Sequence, residues 1–183
     1  MIISHSREKL LNLIAYFTKH TKNCGKTKLF KLLYYADFRH FKETGKSITD
    51  LKYYAWEKGP VPAELYKELK HPKQDFMALF NIMKVDDNTL QLKMKKPLDT
   101  KHFTKREMNI IEETAFIFKD ATAGEMIKYT HLPNNPWSKT LEKKGKSKEI
   151  DYTLAFDETK ESITLDEYEY KRKEFEEIKK ALA

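Results

Sequence analysis

The chain has 183 residues, of which 40% are hydrophobic, 34% are charged and one is a cysteine. A chain of this length can bury a sufficient core without a metal, and a single cysteine excludes an internal disulfide. No stretch approaches the ~20 apolar residues of a membrane-spanning helix, and the first residues lack the basic start and apolar run of a signal peptide. These features predict a cytoplasmic protein without a membrane span.

The net charge of +7 has three interpretations. Only four of the 35 basic residues are arginine, whereas recognition of bases and phosphates favours the planar guanidinium group. The excess of lysine is best explained by a coding bias of the host. An acidic protein partner is the second explanation, and nucleic acid is the third. Nucleic acid is therefore the least expected partner.

Two helices are predicted near the start of the chain. The first covers about residues 8–20, and the second covers about 27–44 and ends at Gly45. The second helix is apolar or aromatic nearly all round, which is typical of a helix at the centre of a bundle or of one that keeps a face for a partner. Its aromatic side chains include Tyr34, Tyr35 and Phe38.

A short helix and a β-hairpin are predicted next. Pro62 suits the first turn of a helix over 63–69. Residues 82–94 then alternate between apolar and polar side chains around a turn at 87–88, which predicts a small hairpin. In the expected register the facing pairs are Val85 with Leu90 and Met83 with Leu92.

Three capping boxes mark further helix starts. In each, a threonine is followed three residues later by a glutamate, so that both side chains satisfy free N–H groups of the first turn. The threonines are Thr104, Thr122 and Thr164, and the predicted helices cover about 104–119, 122–131 and 165–181. The buried face of the first is predicted to carry Met108, Ile111, Ala115 and Phe118.

A lysine-rich stretch from Lys139 to Lys148 contains Gly145 and is predicted to be an exposed loop. Together the elements predict a mainly α fold class, a compact helical domain with a small β-hairpin near residues 82–94. We expect one domain over residues 1–183. Its core covers about residues 5–145, and a helical extension covers about 164–183.

Candidates for chemistry are few. The five glycines are spread along the chain, and neither a nucleophile elbow nor a His-Glu-x-x-His zinc pattern occurs. Asp37 and His40 share a face of the second helix, but a surface hydrogen bond or a core histidine is the plainer interpretation. Cys24 precedes a helix start, where the helix dipole could lower a thiol pKa, but no partner base is evident and a reactive thiol is not expected. His131 is expected to help end its helix, and no enzyme activity, metal or cofactor is expected.

Several short motifs occur in a particular order. They are Lys31-Leu-Leu-Tyr-Tyr-Ala36, then Ile48 after a turn, then Ala55-Trp56-Glu57-Lys58-Gly59-Pro60-Val61, and finally Pro136-Trp137 a few residues after His131. Over about residues 5–145 this combination resembles the Panacea antitoxin domain, also called the SocA-like family. The order of the motifs is more specific than any one of them.

The resemblance implies a compact, mostly helical domain that neutralises a toxin encoded beside it, generally by direct protein contact. In one branch of the family the domain is instead an adaptor that delivers the toxin to a protease. Some members carry an N-terminal helix-turn-helix domain for DNA. The motifs begin near the start of this chain, so regulation through such a domain is not expected.

The Gly59 to Pro62 segment has a physical interpretation of its own. Pro60 and Pro62 fix two φ angles, which predicts a stiff turn with Trp56 beside it. A rigid surface that holds an aromatic side chain makes a good anchor for a partner. Alternatively, the turn only positions the helix over 63–69, and Trp56 belongs to the core.

The predicted function is that of an antitoxin which binds the toxin encoded by the adjacent gene, in a cell or a prophage. The alternatives are an adaptor that also binds a protease, and a regulator that binds nucleic acid. The residues expected to contact the partner are Tyr34, Tyr35 and Phe38 where exposed, together with Trp56, Gly59, Pro60, Val61 and Trp137.

Overall fold

The computed structural model describes residues 5–84 and 90–181, and these residues form a mainly helical fold with two small antiparallel hairpins. The helices are α1 (Ser6–His20), α2 (Lys26–Thr44), α3 (Ala63–Glu68), α4 (Gln74–Leu79), α5 (Lys105–Ile117), α6 (Ala123–Thr130), α7 (Pro136–Lys144) and α8 (Leu165–Ala181). The strands are β1 (Tyr53–Trp56), β2 (Gly59–Pro62), β3 (Phe80–Lys84) and β4 (Leu90–Met94). The predicted fold class is confirmed.

Helix α2 lies at the centre of the fold. It packs against α1, α5, α6 and the β1–β2 hairpin, and its apolar side chains are buried nearly all round. Gly45 ends it in the left-handed conformation with φ 76°, and the Gly45 N–H donates to the carbonyl of Phe41 at 2.7 Å. None of the described helices is long and apolar enough to cross a membrane.

The predicted helices are confirmed, with ends that differ by no more than two residues. Of the three predicted capping boxes, those at Thr104 and Thr122 form completely. Each threonine hydroxyl accepts the N–H of the glutamate three residues later, and each glutamate carboxylate accepts the threonine N–H. Thr164 accepts the N–H of Glu167 at 3.2 Å at the start of α8. Local side-chain chemistry therefore sets these helix starts.

The hairpin predicted near residues 82–94 is confirmed, but its predicted register is wrong by one residue. Ile82, rather than Met83, pairs with Leu92. Phe80 and Ile82 pack on the core while Met83 is exposed, and a slip by one residue would exchange these faces. Val85 and the predicted turn at 87–88 lie outside the described residues.

The prediction of an exposed loop over 139–148 is wrong for its first half, because residues up to Lys144 continue α7. Pro136 occupies the first turn, where its fixed φ suits a helix, and Gly145 follows the last turn. The inward face buries Trp137 and Thr140, and the lysines lie around it. The lysine-rich sequence belongs to the solvent side of an amphipathic helix.

The β1–β2 hairpin was not predicted, because prolines weaken a strand. Pro60 lies opposite Ala55, whose N–H donates to the carbonyl of Lys148 at 2.9 Å and whose carbonyl accepts the N–H of Ser147 at 2.8 Å. Since both backbone groups of Ala55 point away from β2, its carbonyl needs no N–H from Pro60.

Candidate partner-binding site

Three hydrogen bonds join the sequence motifs into one buried cluster. The Lys31 ammonium donates to the carbonyl of Pro60 at 2.8 Å, and the backbone N–H of Trp137 donates to the Tyr34 hydroxyl at 3.2 Å. The indole Nε1–H of Trp137 donates to the carbonyl of Trp56 at 3.0 Å. Helix α2, the β1–β2 hairpin and the start of α7 are thereby tied together.

Lys31 is 1% exposed, and the Pro60 carbonyl is the acceptor of its amine. Removal from water lowers the pKa of Lys31 to about 7, because burial disfavours the charged form. Gly59 lies against this amine with φ +99°, and a Cβ added there would stand 2.8 Å from the Lys31 Nζ. Both the close approach and the backbone conformation require glycine at position 59.

His131 follows the last turn of α6, as expected, and its ring stacks on Trp137. The ring centroids are 3.9 Å apart and the planes differ by 2°. Burial lowers the His131 pKa, and the nearby charge of Lys31 lowers it further. This stack fastens the end of α6 to the start of α7.

Asp37 is a buried carboxylate that accepts four hydrogen bonds. The donors are the N–H groups of Ile48 and Thr49 at 2.9 Å each, the Thr49 hydroxyl at 2.5 Å and the Tyr53 hydroxyl at 2.7 Å. Burial raises the Asp37 pKa to about 6, while the hydrogen bonds act in the opposite direction. His40 Nδ1 contacts the carbonyl of Lys46 instead, at 2.6 Å. Asp37 and His40 therefore both stabilise the loop after α2, and these hydrogen bonds do not join the two side chains to each other.

Burial separates the residues expected to contact a partner into two groups. Tyr35 and Trp56 are half-buried, and each has an edge that solvent reaches. The others lie in the core: Tyr34, Phe38, Gly59, Pro60, Val61 and Trp137. Side chains that are already packed on their own chain have little surface to offer another protein.

An exposed apolar surface, which sequence reasoning missed, lies where α5 ends and along α6. Phe116 is 83% exposed, Ile117 is 53% exposed and Tyr129 is 39% exposed, and they line one shallow depression. We call these three residues the α5–α6 patch. Tyr35 borders it, with its ring 5.7 Å from that of Tyr129. Large apolar side chains that are exposed side by side are typical of interaction sites.

A sequence signal for the patch existed. The predicted buried face of α5 is confirmed at Ile111, Ala115 and Phe118, while Met108 is half-buried. Phe116 and Ile117 fall outside that stripe, although both are large and apolar. Apolar residues out of phase with the buried face of an amphipathic helix point to a second surface.

A family profile described as antitoxin SocA-like, Panacea domain, matches residues 29–138. The match covers more than half of the chain. The chain belongs to the SocA-like antitoxin family. Its Panacea domain runs from α2 into α7 and contains the whole motif cluster, whereas α1 and α8 lie outside the match. No curated protein and no solved structure matches the chain significantly.

In this Panacea domain the shared motifs build the interior. Lys31, Gly59 and Trp137 hold α2, the hairpin and α7 in place. The sequence motifs therefore mark residues that stabilise the scaffold. Cys24 is likewise buried, and burial raises its thiol pKa, which is the opposite of the effect that a helix dipole alone would have. No group of three metal-binding side chains occurs among the residues that the structure describes.

Proposed function

We propose that this SocA-like antitoxin acts in the cytoplasm and neutralises a toxin encoded by the adjacent gene, through direct contact with the α5–α6 patch. Family membership supports an antitoxin role. The observation that carries direct binding is the exposure of Phe116 beside Ile117 and Tyr129. Covering one such side chain contributes about 1.5–3 kcal/mol, which is enough for a few of them to anchor an interface.

Tyr129, the least exposed member of the patch, is held in place from below. The Tyr129 ring lies edge-on to Phe118 at 5.0 Å and to Tyr35 at 5.7 Å. Phe118 is itself buried, and the capping box at Thr122 fixes the start of α6. A surface that is already ordered loses little conformational entropy on binding, so more of the contact energy appears as affinity.

We infer that the role is non-catalytic. Asp37 and His40, the strongest catalytic candidates in the sequence, support this inference because both are engaged by groups of the loop that follows α2. Lys31 is enclosed by Gly59 and Pro60. These groups stabilise the scaffold that carries the patch.

The proposal is tested by expressing the neighbouring gene from an unrelated promoter, with and without this protein, and following growth. We expect the wild-type chain to restore growth and Phe116→Ser to fail, because an exposed phenylalanine is removed without a cost to folding. Tyr170→Ser is the matched control, since Tyr170 is 69% exposed on α8 and outside the patch. Equal rescue by wild type and Phe116→Ser would contradict a role for the patch.

Toxin abundance in the same cultures distinguishes occlusion from delivery to a protease. Direct occlusion leaves the amount of toxin unchanged or higher while growth recovers. An adaptor lowers it, and the loss disappears in a host that lacks the protease. Because the promoter is unrelated, rescue through repression of the toxin gene is excluded by the design.

A further inference from the structure

We propose that the toxin presents an acidic segment which docks on a second surface, formed by Trp56, Tyr66, Lys26, Lys58 and Lys70. We call it the basic-aromatic surface. The inference rests on the proposed function and states the chemistry of the partner at a site other than the α5–α6 patch.

Two aromatic rings form the floor of this surface. Trp56 and Tyr66 are both half-buried and lie edge-to-face, with ring centroids 5.0 Å apart and planes at 69°. Tyr66 rests on the buried Phe30, with its ring centroid at 6.4 Å. The rings therefore keep a fixed position and leave an apolar edge open to solvent.

Two ammonium groups lie over the Tyr66 ring. The Lys70 Nζ is 4.7 Å from the ring centroid and the Lys26 Nζ is 5.2 Å from it, both within range of a cation–π contact. Lys58 adds a third ammonium in the β1–β2 turn, two residues after Trp56. The ring orders two flexible side chains that would otherwise extend freely into water.

These three lysines form no ion pair within the described part of the chain. Glu57 is the carboxylate nearest to Lys58 along the chain, since the two residues are adjacent in the β1–β2 turn. Glu68 of α3 is engaged by Arg7 at 2.5 Å, and Glu64 lines a different groove together with Arg7. The surface therefore carries an excess of positive charge that a group of carboxylates would neutralise.

The chemistry favours an acidic protein segment over nucleic acid. The surface holds no arginine, so it lacks the planar fork that recognises phosphates and base edges in a bidentate manner. Ammonium groups on an aromatic floor suit carboxylates with aliphatic stems, because the stems cover the ring edges while the charges meet. The hydrogen bond from Trp137 to the Trp56 carbonyl keeps the floor in place before the partner arrives.

The test is the kinetics of association with the purified product of the neighbouring gene, measured at several salt concentrations. The variant carries Lys26→Gln, Lys58→Gln and Lys70→Gln. The control carries Lys143→Gln, Lys144→Gln and Lys146→Gln, three exposed lysines at the end of α7, so both chains lose the same charge. We expect the association rate of the first variant to fall about tenfold at low salt and to depend less on salt. The control should stay close to wild type.

The outcomes separate the two proposals. Equal association rates for variant and control would overturn the inference alone, and Phe116→Ser should then still raise the dissociation rate. If the wild-type chain does not bind the neighbour at all, the proposed function fails and this inference fails with it. If the wild type retains a short DNA or RNA oligonucleotide and only the first variant loses it, the surface binds nucleic acid and the acidic segment is refuted. Lys58→Gln alone, in an exposed turn, checks that a slower rate does not come from misfolding.

Discussion

The Lys31 side chain carries its amine into the interior, where a protein gains little from a positive charge. A charged ammonium has three protons to donate, and the Pro60 carbonyl accepts at 2.8 Å. Burial is the cause that lowers its pKa to about 7. The stability of the fold should therefore depend on pH through this one residue.

The sign follows from proton linkage. In the unfolded chain Lys31 has the ordinary lysine pKa of 10.5, so between about pH 7 and pH 10.5 the unfolded state binds more protons than the folded state. The free energy of unfolding contributed by Lys31 is lowest below pH 7 and rises as the pH rises through this window. In Lys31→Met the contribution is absent at every pH.

We predict that wild type gains about 2 kcal/mol relative to Lys31→Met between pH 6.5 and pH 9. Urea denaturation of both chains at the two pH values measures the difference. Titrating groups cancel in the comparison except His131, whose pKa the charge of Lys31 lowers. A difference that does not change with pH would mean that Lys31 keeps its charge in the folded state.

At the scale of elements, local signals were sufficient wherever a side chain acts on its own helix. The capping boxes at Thr104 and Thr122 and the stop at Gly45 were predicted from adjacent residues and formed as expected. The β3–β4 register was ambiguous, since Met83 and Ile82 offer competing alternations, and contact of Phe80 with the core decides between them. Periodicity alone carries no information about that contact.

The β1–β2 hairpin shows a different limit. Its prolines count against a strand, and what permits Pro60 is that Ala55 bonds to Ser147 and Lys148, far along the chain. Burial of Trp137 and Thr140 against the core likewise accompanies a helix over Lys139 to Lys144, where a loop was predicted. Contacts of this kind depend on tertiary structure and cannot be read from neighbouring residues.

Helix α8 provides a prediction at this scale. None of its described residues is buried, and its main attachment is Tyr168, whose ring lies 5.2 Å from that of Phe41. We expect deletion of residues 165–183 to lower the free energy of unfolding by no more than about 2 kcal/mol, the value of one partly buried aromatic side chain. Urea denaturation measures this change.

The same truncated chain should still restore growth, because the α5–α6 patch and the basic-aromatic surface both precede residue 165. Loss of rescue by a truncated chain that is folded and abundant would place α8 in the toxin interface.

For the molecule as a whole, the motif residues that identify the family and the residues that we propose as contacts overlap only at Trp56 and Lys58. The motif around Lys31, Gly59 and Trp137 allowed the family to be predicted from sequence, and the structure buries these residues in the scaffold. Of the predicted contacts, Tyr35 and Trp56 keep an exposed edge: Tyr35 borders the α5–α6 patch, and Trp56 belongs to the basic-aromatic surface. Phe116 was not predicted as a contact because the only sign of it in the sequence is that it lies out of phase with the buried face of α5.

In the proposed function, the buried motif residues form the scaffold of this domain and its exposed positions contact the toxin. Buried hydrogen bonds from Lys31 and Trp137 fix the relation of α2, the hairpin and α7, and we expect changes at the exposed positions to leave the fold intact. Under the proposed function, the free energy of binding comes from exposed side chains such as Phe116, which is 83% exposed.

Titration of the purified neighbouring gene product with this protein, followed by calorimetry, tests the direct-binding account most plainly. We predict a saturable complex with a dissociation constant below about 1 μM for wild type, and at least about tenfold weaker binding for Phe116→Ser, in keeping with the loss of a central aromatic anchor. Absence of any complex with the wild-type chain, under conditions where co-expression restores growth, would contradict neutralisation by direct contact.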